Sequence, residues 1–297
     1  MEHILISGDF PRLEQSAVAL GKFDGLHRGH RKLMEAAIRG KEEGEPFVLL
    51  SFIMSGNMIF SREERAHLAE SLGVDILIEC PLEETIRLME PETFVSRILK
   101  DALNASLVVV GADYRFGRNR KGDTDLLTAL GREKGFRTVI VPKETDRGIK
   151  ISSTGIRKAL FEGDMERVSF LLGTPYFIEG TVVHGRGLGH KALLPTINII
   201  PGPNKYLPPA GVYASRVFAG ERVYRAMTNI GTNPTVHGDH ITVETHILDF
   251  SGDLYGAFCR IELLSHLRPE KAFPGLEELK RQLAKDREAV ENYFEKK

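Results

Sequence analysis

The chain has 297 residues, more than one small core holds at roughly 150 residues per domain, so two domains are expected. Its 40 Lys+Arg against 41 Asp+Glu exclude an overall basic field that would draw it to nucleic acid or anionic lipid, while leaving room for a local cationic pocket. Cys80 and Cys259 are too few for a disulfide framework or a Cys-rich zinc site. With no signal-like start and no apolar run near the ~20 residues that span a bilayer, they point to a cytoplasmic chain with reduced thiols and no membrane partner.

In the first half, apolar runs alternate with helical patterns. Strands are expected at Ala17–Leu20, Phe47–Phe52, Val74–Ile78, Leu107–Val110 and Thr138–Val141, mostly continuous apolar runs of the kind buried on both faces. Helices are expected at His30–Arg39, Arg62–Leu72, Pro91–Leu103 and Thr124–Lys134, with Pro91 in the first helical position. This rhythm predicts a doubly wound parallel sheet, whose ligands sit beyond the carboxyl ends of the strands. Lys143–Lys150 reads as a loop, and short helices are expected near Ser153–Phe161 and Asp164–Leu172.

Gly173-Thr174-Pro175 breaks the chain and marks the expected boundary between a domain of residues 1–173 and one of 174–297. Beyond it strand follows strand: Phe177–Val183, Val212–Phe218, Val223–Asn229, Thr242–Phe250 and Phe258–Leu264, with a hairpin turn at Ala219–Arg222. Strands without intervening helices predict a small antiparallel barrel. A terminal helix carries Leu276, Leu279, Leu283, Val290 and Tyr293 on one face, expected to pack, with Glu277 and Glu278 in its first turn.

Three segments follow strands of the first domain. Gly21–His30 reads GKFDGLHRGH: glycines that admit close backbone approach, then a helix start with free N–H groups, where phosphates bind. His27 and His30, three apart, share one side of the first turn and could donate to a triphosphate and to the charge built up at its α-phosphorus. Ile151–Arg157 reads ISSTGIR: Ser153 or Thr154 can cap a helix, and Arg157 lies within one turn to fork onto phosphate. Gly111–Gly117 reads GADYRFG. Taken alone, each string also suits an ordinary surface histidine pair, cap or loop.

Together the first two strings resemble the two signatures of the HxGH nucleotidylyltransferase superfamily, and the third is similar to the GxxFxFG loop of the bacterial bifunctional riboflavin kinase/FAD synthetase family. In the second half, Pro195–Asn198, Gly211–Ala214, Asn229–Thr235, Glu244–Phe250, Gly252–Gly256 and Leu267–Glu270 resemble the riboflavin kinase module of the same family. The resemblance implies an N-terminal site in which His27, His30 and Arg157 act on ATP held by Gly21, Phe23, Asp24, Gly25, Lys150, Ser153 and Thr154, with FMN beside Asp113 and Phe116. It implies a C-terminal site in which Glu244 is the general base and Thr196 and Asn198 offer oxygen ligands to Mg²⁺. His246 and Asp249 are read as structural or orienting. Riboflavin, FMN, FAD and ATP are the implied substrates and products, with no nucleic-acid partner.

The chain departs from the family pattern in two loops. The family's TFxPHP reads Ser51–Asn57 here without the proline–histidine pair, and its GRxLGFPTxN has His190 for an arginine and Leu193 for a glycine; Lys150 stands where an arginine is common. Two alternatives stay open at this point: another HxGH nucleotidylyltransferase with an unrelated barrel, and a flavin-binding regulator that has lost one or both activities.

Overall fold

The computed structural model describes residues 1–53, 56–82, 84–146, 148–184, 196–235 and 238–296. They form two compact units, residues 1–56 with 65–153 and residues 57–64 with 154–297.

The first unit is built on a six-stranded sheet in the order β1-β4-β3-β2-β5-β6. Its strands are β1 (Glu2–Leu5), β2 (Ser16–Gly21), β3 (Phe47–Ile53), β4 (Ile76–Pro81), β5 (Ala105–Gly111) and β6 (Arg137–Val141), and every pairing is parallel. Helix α1 (Arg28–Gly40) packs on β2, β3, β5 and β6. On the sheet Val18, Leu20, Val48, Leu50, Ile78, Val108 and Val110 join Phe94, Val95, Ile98 and Leu99 in one core, which is why the strands read as unbroken apolar runs. From β2 the chain winds one way through β3 and β4; from β5 it winds the other way to β6. The crevice between the ends of β2 and β5 is therefore the topological switch point, where open α/β sheets bind ligands.

The four-residue strand β1, mostly exposed at the sheet edge, was not expected from sequence. Helix α2 (Arg62–Ser71) and a short α3 (Glu84–Arg87) precede α4 (Pro91–Phe94), which has Pro91 at its first turn as expected. The expected α-helix through Leu103 instead widens to a π-type helix at Val95–Ala102, where Leu103 N–H reaches back five residues to Ile98. Helix α5 (Thr124–Lys134) is capped by Asp123. The stretch read as a loop after Pro142 contains a small antiparallel pair, β7 (Thr145–Asp146) with β8 (Ile149–Lys150).

The second unit is a closed antiparallel barrel in the order β10-β13-β12-β11-β14-β9. Its strands are β9 (Tyr176–Val183), β10 (Thr196–Ile199), β11 (Gly211–Ala219), β12 (Arg222–Thr235), β13 (Gly238–Ile247) and β14 (Phe258–Pro269), preceded by α6 (Ser153–Glu162) and α7 (Met165–Leu172). Closure leaves no strand edge. The hairpin at Gly220-Glu221 joins β11 and β12 as expected. The strand expected at Thr242–Phe250 stops at Ile247, because Asp249 turns the chain in a left-handed conformation (φ 56°) and binds Arg287. Helix α8 (Leu276–Glu295) covers the outer face of β11 and β12: Leu283, Val290 and Tyr293 pack on Val212, Ala214 and Met227, whereas Leu276, expected on that face, is exposed. The guanidinium of Arg268 forks onto the buried Asp286 carboxylate at 2.9 and 2.7 Å and ties the end of β14 to this helix.

Residues 57–64 join this unit through aromatic and ionic packing. Phe60 stacks on Tyr176 and Phe177, with ring centroids 5.4 and 4.5 Å away. Glu64 forms a buried ion pair with Lys205, whose ammonium also donates to the Phe177 carbonyl at 2.8 Å and lies over the Tyr176 ring.

Candidate active sites

A cavity of about 800 Å³ opens at the switch point of the first unit. Its wall carries Gly21, Phe23, His27 and His30 after β2, Asp113, Tyr114 and Phe116 after β5, and Lys143, Glu144, Lys150 and Ser153 after β6. Gly21–His30, Gly111–Gly117 and the first residues of Ile151–Arg157 thus meet around one cavity.

His27 is the N-cap of α1, and its Nδ1 accepts the backbone N–H of His30 at 3.2 Å. With Nδ1 accepting, the neutral ring carries its proton on Nε2. The two imidazoles stack with centroids 3.6 Å apart and planes 11° apart, and Phe23 meets His30 edge-on at 5.1 Å. Burial lowers the His27 pKa to about 4, reinforced by the positive charge of Lys150. Burial, His27 and Lys150 likewise hold His30 well below the usual imidazole range. Both rings are neutral at pH 7 and serve as hydrogen-bonding groups. Gly29 lies close under the His27 ring, where a Cβ would make a tight contact at 3.2 Å.

Charged groups order the facing wall. Asp113 accepts from Lys150 at 2.7 Å and pairs with Lys143 at 3.2 Å; the Lys150 hydrogen bond leads in holding its carboxyl below the usual range. Glu144, which sequence reading missed, binds Arg28 at 3.1 Å and also Lys32, anchoring the first turns of α1. An aromatic group forms the apolar part of the wall: Phe94 lies 5.7 Å from Phe116 and 6.1 Å from Phe52, and Tyr114 stacks on Phe116 at 5.7 Å. Gly117 (φ 68°) has no room for a side chain, since a Cβ would fall 2.7 Å from Pro91.

The remaining expected residues of this site are placed differently. Asp24 is buried, and its carbonyl accepts the Ser153 hydroxyl at 3.0 Å. Gly25 (φ 87°) shapes the same loop between Phe23 and Leu26, themselves in left-handed conformations. Neither Asp24 nor Gly25 lines the cavity. Thr154 and Arg157 belong to the second unit, where the Arg157 guanidinium donates to the Asn57 carbonyl at 3.0 Å. In the Ser51–Asn57 departure, Met54 and Ser55 lie outside the described residues, and Ser51 Oγ donates to the Lys22 carbonyl at 3.2 Å.

On the barrel, strand register groups the expected kinase residues. Asn198 of β10 stands opposite Glu244 of β13, which stands opposite Asn229 of β12; Thr196 and His246 form the next pair on that face. Ile197, Thr245 and Thr228 point the other way, buried in the interior, where Thr228 shares hydroxyl hydrogen bonds with Thr245 and Ser215. Glu244, Asn198 and Thr196 therefore face outward, side by side. The glycine-rich segment 185–195, with His190, Leu193 and Pro195, lies outside the described residues.

Comparisons with known proteins agree in both halves. A family model described as FAD synthetase matches residues 9–155, and one described as riboflavin kinase matches residues 172–294. The bifunctional riboflavin kinase/FMN adenylyltransferase of Escherichia coli (strain K12) is 35% identical over 95% of this chain and 93% of its own. Its counterpart from Bacillus subtilis (strain 168) is 32% identical over 94% and 93%. A crystal structure named as a macrolide-efflux protein from Streptococcus pneumoniae superposes with a TM-score of 0.87 at 30% identity, covering 98% of this chain and 99% of that one. No described helix of the present chain is long and apolar enough to cross a membrane. The alternative of an HxGH enzyme with an unrelated barrel is thereby set aside: the chain belongs to the bifunctional riboflavin kinase/FMN adenylyltransferase family.

Proposed function

We propose that the chain makes FAD from riboflavin in two steps, with modules at residues 1–173 and 174–297. The observation that carries the reading is the cavity at the switch point, which combines two neutral histidines at a helix start, paired lysines and an aromatic wall. A phosphate oxygen of FMN attacks the α-phosphorus of ATP; the new P–O bond forms as the bond to the β-phosphate bridge breaks, and pyrophosphate leaves. Free N–H groups at the start of α1 and the His27 Nε2–H donate to the phosphate oxygens as charge builds on them. His30, held against His27, acts on the same oxygens. Gly21, Phe23, Lys150 and Ser153 hold the ATP, and Asp24 and Gly25 set the loop that shapes the pocket. Asp113 and Phe116 border the flavin.

In the second step's supplier, the barrel, Glu244 takes the proton of the riboflavin primary alcohol as its oxygen attacks the γ-phosphorus of ATP, releasing ADP and FMN. The outward oxygens of Thr196 and Asn198 would hold Mg²⁺, a hard cation that would supply positive charge to offset that of the ATP phosphates. The reading makes the chain a cytoplasmic enzyme with small-molecule partners, in keeping with its two free, buried cysteines.

The test is to incubate the chain with riboflavin, ATP and Mg²⁺ and resolve the flavins by chromatography. FMN and FAD together are expected. FMN alone would mean that the altered Ser51–Asn57 loop has disabled adenylylation. Flavin bound with neither product would make the chain a regulator.

A further inference from the structure

Among the described residues, six cationic side chains line the cavity: Lys22, Arg87, Arg115, Arg120, Lys143 and Lys150. Most are already engaged. Lys143 and Lys150 share Asp113, and Arg115 lies 3.7 Å from Asp123. Arg87 and Arg120 alone make no hydrogen bond or ion pair through their side chains among the described residues.

The turn that carries Arg120 explains its isolation. Asn119 (φ 54°) and Arg120 (φ 58°) both adopt the left-handed conformation, which costs a non-glycine residue energy. Backbone bonds hold the turn: Arg120 N–H donates to the Gly117 carbonyl at 3.0 Å and Arg118 N–H to the Met89 carbonyl at 2.7 Å. The neighbours Arg118 and Lys121 both direct their charges to Glu90, 3.6 Å away in each case. Between them the reversed backbone sends Arg120 to the cavity wall instead. The turn is also seated on the aromatic part of that wall, through Gly117 against Pro91 and the backbone pairing of Phe116 with Gly122. Arg87 also lines the cavity, together with its sequence neighbours Ile86 and Leu88.

An unpaired guanidinium beside an aromatic surface suits a ligand that is flat and apolar at one end and doubly charged at the other. We propose that Arg120, with Arg87 lining the same cavity, is the subsite for the phosphate monoester of the flavin, and that it selects FMN over riboflavin at the adenylylation step. The histidine pair and Lys150 remain for the nucleotide. The assignment rests on the adenylylation reading above and deepens it. A guanidinium offers two parallel donors to phosphate, which an ammonium cannot reproduce.

The experiment measures FAD formation from FMN and MgATP by the full-length chain, with KM determined for each substrate. Losing a charge-assisted bond to phosphate, Arg120→Gln is expected to raise KM for FMN about ten-fold or more. KM for ATP should stay within about two-fold, Arg120→Lys should recover part of the loss, and Arg87→Gln should act in the same direction. An unchanged thermal unfolding profile checks that the first unit of each variant is folded, and phosphorylation of riboflavin by the same preparations checks the barrel. An unchanged KM for FMN, or a rise confined to ATP, overturns the assignment; the latter would give the arginine to the triphosphate. A wild-type chain that makes FMN but no FAD would instead overturn the adenylylation reading itself.

Discussion

The imidazole of His27 accepts the backbone N–H of His30 at 3.2 Å while the two rings stack 3.6 Å apart. One contact caps the helix and fixes a tautomer; the other shields both rings from water. The consequence is a pH dependence of stability. The unfolded chain protonates His27 below its ordinary value of 6.5, but the folded chain resists until about pH 4. Over that window the unfolded state binds more protons, so stability falls as pH falls. At about 1.4 kcal/mol per pH unit, the His27 contribution alone reaches roughly 3 kcal/mol. Denaturant unfolding at pH 7 and pH 4.5 should show the wild type losing more stability than His27→Asn, which keeps a cap acceptor but cannot titrate. Equal losses would contradict the buried, neutral histidine.

The two chemical steps should separate by substitution. His30→Ala removes an imidazole from the cavity of the first unit and touches nothing on the barrel. FAD formation should fall by at least about 100-fold, the usual scale for losing a positioned transition-state donor, while FMN formation from riboflavin persists. Glu244→Gln keeps the size of a residue on the outer barrel face but cannot take a proton. It should lower FMN formation by about 100-fold or more while FMN supplied directly is still converted to FAD. Chromatography of the flavins distinguishes the steps, and a variant that lowers both equally would refute the two-site assignment.

The buried pair Glu64–Lys205 carries a stability prediction. Burial pushes the Lys205 ammonium below its usual range, and Glu64 opposes that shift. Replacing Glu64 by Gln leaves the ammonium among Phe60, Tyr176 and Phe177 with neutral acceptors in place of the carboxylate. The expected cost is about 3–5 kcal/mol in denaturant unfolding. The double variant Glu64→Gln with Lys205→Met removes both charges and should recover most of that loss, since its remaining polar groups are neutral. A cost below about 1 kcal/mol for the single change would mean that the pair is open to water.

Much of this architecture could be read from the sequence, because burial on both faces of a parallel sheet forces apolar runs such as Phe47–Phe52 and Leu107–Val110. The motifs also lie where the chain leaves those strands, so their meeting on one edge follows from winding direction. What could not be read depends on tertiary partners. The edge strand β1 exposes most of its residues and shows no periodicity. Strand β12 runs past Gly231 and Pro234, residues that signal a turn, because β13 pairs with it along ten positions. Segment 57–64 gives no local hint that it belongs with the barrel; distant partners, Lys205 and Tyr176 among them, define its place. Arg120 and Glu144 were missed for a related reason. Each is an ordinary charge in sequence, and only the left-handed turn of one and the ion pairs of the other set them apart.

Tyr114 occupies the first aromatic position of the Gly111–Gly117 loop, where the resembling family pattern has phenylalanine. Its ring stacks on Phe116, but its hydroxyl is buried with no hydrogen-bond partner among the described residues. Burial alone drives its pKa upward, so the phenol stays neutral at any physiological pH. A buried hydroxyl that gives up water without gaining a partner costs about 1–3 kcal/mol. Tyr114→Phe keeps the ring, its stacking and its volume while deleting only that group. The variant should therefore be more stable than the wild type by about 1 kcal/mol, a rise of a few degrees in Tm in a ligand-free thermal melt. The gain should shrink when the melts are repeated with saturating FMN if the bound flavin draws Tyr114 outward and supplies the missing acceptor. A loss of stability in the ligand-free melt would show instead that the hydroxyl already has a partner, such as a buried water, and that the wall of the cavity is wetter than its aromatic lining indicates.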